Sequence, residues 1–220
     1  MDMKTHYFQI ENVTFAYTPN RPLLCDADFH LLPGERVGLV GPNGSGKTTL
    51  LHVLVGLLKP QSGTIRAFGK LRKQEKDFYE VRARAGLVFQ DSDDQLFCPT
   101  VLEDVAFGPL NLDKTPDEAR RIAIDTLYSL GLDGFEDRIT YQLSYGEKRM
   151  VALATVLAMR PDALLLDEPT NGLDEDTKKH LGTLLCSLPQ SMVIISHEAD
   201  FIEQLATRVV CVQPDGALAS

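Results

Sequence analysis

Gly41-Pro42-Asn43-Gly44-Ser45-Gly46-Lys47-Thr48 lies between Arg36-Val37-Gly38-Leu39-Val40, which reads as an apolar strand, and Lys47–Leu58, which reads as a helix apolar nearly all round and hence buried. The loop fits G-x-x-x-x-G-K-[ST], and a strand before it with a helix after it is the context in which that pattern cradles phosphate. Its glycines let successive backbone N–H groups converge on phosphate oxygens, and the helix that starts here adds the positive end of its dipole. Lys47 is placed to reach the β- and γ-phosphates, and the Thr48 hydroxyl to ligate Mg²⁺. The run Gly41, Pro42, Asn43, Gly44, Ser45, Gly46, Lys47, Thr48 and Thr49 is the candidate nucleoside triphosphate site.

Further along, Ala163-Leu164-Leu165-Leu166-Asp167-Glu168 is a buried strand that ends in two acids. Asp167 falls at the carboxyl edge of the sheet, where it can join Thr48 on Mg²⁺, and Glu168 beside it is suited to polarise an attacking water. No Asn-Lys-x-Asp guanine-reading motif is present, so ATP is the expected nucleotide.

The rest of the chain alternates strands and helices. Strand-like alternation covers Tyr7–Val13, followed by Phe15, Ala16, Tyr17 and a turn at Pro19-Asn20-Arg21-Pro22. Extended runs follow at Asp28–Leu32 and Gly86–Phe89. Lys70–Arg84 mixes six basic with three acidic side chains and reads as a solvated helix face. Thr115-Pro116-Asp117-Glu118 opens a helix with an N-cap, a proline at the first position and a capping box; Ala119, Ile122, Leu127 and Leu130 mark its apolar face and Gly131 ends it. Residues 91–142 thus read as a helical insertion. A helix at Gly146–Met159, a strand at Ala163–Leu166, a helix at Glu175–Leu188 and strands at Met192–Ser196 and Val209–Val212 complete the chain. Strands separated by helices imply an α/β protein whose sheet is mostly parallel and covered on both faces.

Composition narrows the setting. In 220 residues, 44% are hydrophobic and 24% charged, which excludes disorder and collagen-like architecture. The 31 acidic and 22 basic residues give a net charge of −9, which argues against nucleic acid as a partner and against a polybasic membrane anchor. Cys25, Cys98, Cys186 and Cys211 are widely spaced without a CxxC and read as small buried thiols of a reducing compartment rather than a metal site. The opening Met-Asp-Met-Lys-Thr-His-Tyr has no apolar run, so no secretory leader is expected, and no apolar stretch approaches the roughly 18–20 residues that span a bilayer.

Leu143-Ser144-Tyr145-Gly146-Glu147, about twenty residues before Asp167 at the start of a helix, is where the chain resembles the ABC-transporter ATPases, whose signature is usually Leu-Ser-Gly-Gly-Gln. The resemblance covers essentially the whole chain. It implies a P-loop ABC nucleotide-binding domain with a mostly parallel core sheet, an antiparallel β subdomain and an inserted helical subdomain. Residues 1–90 and 143–220 would form the first two and residues 91–142 the third. It further implies that Tyr17 stacks on adenine, that Gln90 is the Q-loop glutamine serving catalysis and Mg²⁺, that Leu173-Asp174 is the D-loop, and that His197 is the switch histidine. Lys47, Gln90, Glu168 and His197 would carry catalysis. Ser144, Tyr145, Gly146, Glu147 and Asp174 would meet nucleotide across a head-to-tail pair. Tyr145 and Glu147 depart from the usual glycine and glutamine.

A narrower resemblance lies in Gln90-Asp91-Ser92-Asp93-Asp94-Gln95-Leu96-Phe97 and Thr100–Asn111, which are similar to the ATPase subunits of energy-coupling-factor importers and of the related cobalt and nickel importers. It implies ATP-driven uptake of a transition metal ion or a vitamin, at the cytoplasmic face of the cell membrane. A transmembrane subunit would dock near Gln90–Gln95, alongside a substrate-binding membrane subunit, with Asp91, Asp93 and Asp94 as an acidic socket for arginines. The ATPase would pair with itself or with a similar subunit. Many members of that group carry a further C-terminal dimerisation domain, whereas this sequence ends at Ser220, so dimer stability is expected to come mostly from ATP and the membrane partner. Among other classes, an ABC protein acting on DNA or ribosomes would carry tandem cassettes or a coiled-coil insertion. A small-molecule P-loop kinase would lack the signature helix and switch histidine, and a dead regulatory subunit would have lost Lys47, Glu168 or His197.

Overall fold

The protein is described here by a computed structural model, which covers residues 6–18 and 21–219. Residues 1–5, Pro19 and Asn20 of the expected turn, and Ser220 lie outside the described residues. In chain order the elements begin with β1 (Phe8–Thr18), β2 (Arg21–Leu31), β3 (Arg36–Val40) and α1 (Lys47–Leu54). Then come β4 (Ser62–Ala67), β5 (Lys70–Arg72), α2 (Tyr79–Arg84), β6 (Ala85–Val88), α3 (Val101–Asn111), α4 (Pro116–Ser129) and α5 (Tyr145–Leu157). The chain closes with β7 (Ala163–Asp167), α6 (Glu175–Ser187), β8 (Ser191–Ile195), α7 (Ala199–Leu205), β9 (Arg208–Val212) and β10 (Leu218–Ala219). It divides into two compact units, one of Met1–Leu87, Asp162–Asp167 and Pro189–Ser220, the other of Val88–Pro161 and Glu168–Leu188.

The first unit holds two sheets. An antiparallel one runs β2-β1-β4-β5. The other runs β10-β9-β3-β8-β7-β6, with β9, β3, β8 and β7 parallel and β10 antiparallel at the end. β7 and β8 are buried at every position, as continuous apolar runs in the middle of a covered parallel sheet must be. β1 alternates instead, and its alternation slips where Asn12, at φ 49°, forms a bulge and donates its N–H to Asp28 Oδ1 at 2.8 Å. Phe8, Leu24, Leu39, Leu50, Leu54, Leu165 and Val193 share one core.

Several expectations are corrected. The helix after the phosphate loop stops at Leu54 rather than Leu58, because the chain turns at Gly56, where a Cβ would sit 2.2 Å from the Phe78 ring. Lys70–Arg84 is not one solvated helix. It is β5, a 3-10 turn over Glu75–Phe78 and α2, and Arg72 is buried there, donating to the carbonyls of Ala67 and Asp77 and to Glu80. The cysteines are free, but none is buried: Cys25 and Cys98 are half-buried, Cys186 and Cys211 exposed. β4, α7 and β10 were not foreseen.

In the second unit α3, α4 and α5 pack pairwise, and Val101, Val105, Ala119, Ala123, Leu127 and Met150 on them are buried. The capping box expected at Thr115 forms, with Glu118 N–H donating to Thr115 Oγ1 at 3.3 Å and Thr115 N–H to Glu118 Oε2 at 2.9 Å. Thr100 and Glu103 open α3 in the same way. Among the described residues no helix is long and apolar enough to cross a membrane.

Candidate functional site

The phosphate loop belongs to the first unit. Gly41, Gly44 and Gly46 have φ of 148°, 77° and 103°, backbone that residues with a Cβ rarely adopt. A Cβ at Gly41 would meet the Val212 carbonyl oxygen at 2.3 Å, and one at Gly46 the Leu23 oxygen at 2.6 Å. α1 starts at Gly46 with no side-chain cap and no acid in its first turn. Lys47 is buried and bent back over the loop, its Nζ donating to the Gly41 and Pro42 carbonyls at 2.8 and 3.0 Å. Ser45 Oγ is buried with no hydrogen-bond partner among the described residues. A glycine cradle, uncapped N–H groups, a held ammonium and an unmet hydroxyl together suit a polyanion such as the triphosphate of ATP.

Asp167 is the last residue of β7 and is almost fully buried. The Thr48 hydroxyl, the Asp167 carboxylate and the Gln90 amide oxygen are hard oxygen donors, the chemistry that Mg²⁺ takes. Glu168, 8% exposed, follows at φ 48°, a strained left-handed backbone for a residue with a side chain. His197 is exposed just after β8. Tyr17 is 62% exposed near the end of β1, with its ring edge-on to Phe15 at 5.0 Å.

In the second unit the signature turn is a capping box. Glu147 N–H donates to Ser144 Oγ at 3.3 Å and Ser144 N–H to Glu147 Oε2 at 2.8 Å. Glutamic acid in place of glutamine therefore serves as the N3 partner of its own serine. Arg138 Nη1 donates to Glu147 Oε1 at 2.7 Å and, as the leading cause, holds that carboxyl below the usual range. The other departure, Tyr145, lays its ring over Gly172, where a Cβ would be 2.7 Å from the ring. A cavity of about 460 Å³ brings Ser144, Tyr145, Gly146 and Glu147 together with Gly172 and Asp174. The Asp174 carboxylate caps α6, accepting from Asp176 N, Thr177 N and Thr177 Oγ1.

Gln90 is exposed, and its own carbonyl is held by Arg149, a residue not singled out from the sequence. The signal was there, since Arg149 stands on the buried face of α5 beside Met150, Val151, Leu153 and Val156. In the loop expected to receive a partner, Asp91, Asp93 and Asp94 are all exposed; Asp91 accepts from Asp93 N–H at 3.0 Å and Asp93 pairs with Lys148. Phe97 and Phe107 lie nearby in the chain, 65% and 45% exposed and edge-to-face at 4.8 Å.

Comparison with known proteins shows the family and the fold. The sequence pattern of the ABC transporter family matches residues 24–171. A protein of Nitratidesulfovibrio vulgaris named as an ABC transporter ATP-binding protein is 50% identical over 212 residues, 96% of this chain and 77% of that one. The energy-coupling factor transporter ATP-binding protein EcfA of Methanothermobacter thermautotrophicus is 41% identical over 205 residues, 91% of this chain and 66% of that one. Among solved structures, CbiO1 of Clostridium perfringens, part of the ABC transporter complex CbiONQ, superposes with a TM-score of 0.86 at 32% identity, over 98% of this chain and 88% of that one. The bacterial cassette MJ0796, dimeric in a post-hydrolysis state with ADP and phosphate, superposes with a TM-score of 0.87 at 26% identity, over 97% of both chains.

Proposed function

The chain belongs to the ABC transporter family and is its ATP-binding, ATP-hydrolysing subunit, and from that premise we propose that it powers an importer of the energy-coupling-factor or cobalt-transport type, taking up cobalt, nickel or a vitamin. The observation that carries this finer reading is the 41% identity to EcfA across 91% of the chain. The fold likeness to CbiO1, a part of CbiONQ, points the same way.

In this reading two copies, or this chain and a similar one, meet head to tail around two ATP molecules. The loop from Gly41 to Thr49 holds the phosphates, with Lys47 and the backbone N–H groups opposing charge that develops on the γ-phosphoryl group. Tyr17 stacks on the adenine. Thr48, Asp167 and Gln90, the oxygen donors that the family resemblance assigns to the metal, would hold Mg²⁺, which would supply positive charge against the phosphates. Glu168 polarises the attacking water, and His197 keeps water and γ-phosphate in line. Ser144 and Gly146 of the opposite copy close the site, with Tyr145, Glu147 and Asp174 beside them.

The membrane partner docks in the second unit near Gln90–Gln95. The exposed Asp94 carboxylate and the Phe97–Phe107 pair suit a cytoplasmic helix that presents an arginine next to apolar side chains. The ATPase then works at the cytoplasmic face of the membrane, held there through that partner. An affinity pull-down of the tagged protein from detergent-solubilised membranes tests this. Recovery of a polytopic membrane protein with a small substrate-binding membrane subunit is expected. Recovery of soluble partners alone would overturn the importer reading and leave the ATPase standing.

A further inference from the structure

α5 buries one charged side chain among its apolar ones. Arg149 is 1% exposed, and a guanidinium out of water is costly unless its donors are met. Its fork reaches three main-chain carbonyls: Nη1 donates to Phe89 O at 2.5 Å, and Nη2 to Gln90 O at 2.7 Å and Glu168 O at 3.0 Å. Those carbonyls belong to the two segments that carry Gln90 and Glu168, which are 78 positions apart in the chain. The Glu168 carbonyl also accepts the Asn171 N–H at 3.1 Å. Two donors on one oxygen pin the peptide behind a residue whose φ of 48° persists only where the surroundings over-determine it.

The same helix starts at the signature turn. Tyr145, one turn before Arg149, has its hydroxyl 3.5 Å from Nη2 and its ring on Gly172. The helix start, Gly172 just before the D-loop, the peptide of Glu168 and the peptide of Gln90 therefore meet on two side chains of a single helix.

We propose that Arg149 is a positioning residue for ATP hydrolysis: it ties the Glu168 and Gln90 backbones to α5, so that displacement of the helix start by the opposite copy's nucleotide is felt at the water-polarising carboxylate of its own copy. The inference rests on the reading of Glu168 as that carboxylate. Arginine is required because its planar fork serves three acceptors at once, whereas a lysine ammonium is a point donor on a flexible stem.

The test compares single-turnover and steady-state ATP hydrolysis by the wild type, R149K, E168Q and the R149K/E168Q double variant, with Tm recorded for each. R149K is expected to lower kcat about 10- to 100-fold while the KM for ATP stays within about threefold, because misplacement near the reacting atoms acts on the rate rather than on nucleotide binding. The double variant is expected to be no slower than E168Q, since the carboxylate that Arg149 places has already lost its charge. A kcat for R149K close to that of the wild type, a KM that rises in step with the fall in kcat, or multiplying losses in the double variant would each overturn the positioning role. A wild-type rate in E168Q overturns the underlying reading of Glu168, whatever R149K does, so the two failures are separable. If R149K does not fold, R149Q, whose planar amide offers two donors, is measured in its place. Failure of both to fold would make Arg149 a framework residue and overturn the proposal.

Discussion

α1 and α5 both begin at turns read as facing phosphate, and they begin in opposite ways. α1 follows Gly46, without a capping side chain and without an acid in its first turn. α5 follows Ser144, whose hydroxyl accepts the Glu147 N–H while Glu147 returns a bond to the Ser144 N–H. The first helix start keeps its donors for a ligand, and the second satisfies its own. The difference suits a division of labour. In the proposed function the loop around Lys47 holds nucleotide by itself, whereas the turn at Ser144 meets its own N–H groups and offers the serine O–H and the positive helix end to something that arrives later.

The largest effect that would break this contrast sits at Lys47. Lys47→Ala removes the ammonium held over the loop and should lower kcat/KM by about 10²–10³, measured by steady-state ATP hydrolysis. Gly41→Ala acts on the same loop through the backbone. Its Cβ would press on the Val212 oxygen, so we expect a loss of about 1–3 kcal/mol in denaturant unfolding together with loss of ATP binding in an equilibrium titration. At the other helix start the effects separate. Ser144→Ala should cost about 1 kcal/mol as a lost cap, and Ser144→Asn should restore that stability. Both should remain about tenfold slow in hydrolysis, since neither carries the hydroxyl donor. The smallest effect belongs to Glu147. Its folded pKa is lowered by Arg138, so its contribution to stability is fully present above the unfolded value near 4.5 and is lost as pH falls through the folded one. Glu147→Gln keeps the cap but not the ion pair, and should flatten the acid limb of the stability profile by less than about 1 kcal/mol, the surface pair being screened.

The first of these regions was largely legible in the sequence, the second much less so. Glycines at fixed spacing between an apolar strand and an apolar helix can do few other things, and β3 and β7 lie where their apolar runs placed them. Boundaries set by tertiary contact were not legible, as where α1 stops at Leu54 and the chain turns at Gly56 against Phe78, or where Arg72 leaves solvent for carbonyls brought near by the fold. The signature turn hid its logic for a different reason. Tyr145 and Glu147 look like departures until Gly172 and Arg138, remote in the chain, are placed against them. Arg149 could have been noticed as a charge on a buried face, but its acceptors are main-chain carbonyls, which leave no mark in a sequence.

That nucleotide held by one copy's loop is completed by the other copy's helix start is tested most directly by mixing two inactive variants. Lys47→Ala disables the loop. Gly146→Asp sets a carboxylate at the start of α5, where a Cβ meets Leu173 at 3.5 Å and Thr177 at 3.9 Å, both ordinary contact distances. Each variant alone should be inactive. In an equimolar mixture, half of the random pairs carry one intact composite site, so ATP hydrolysis should return toward about a quarter of the wild-type rate. A mixture as inactive as its components would contradict shared sites.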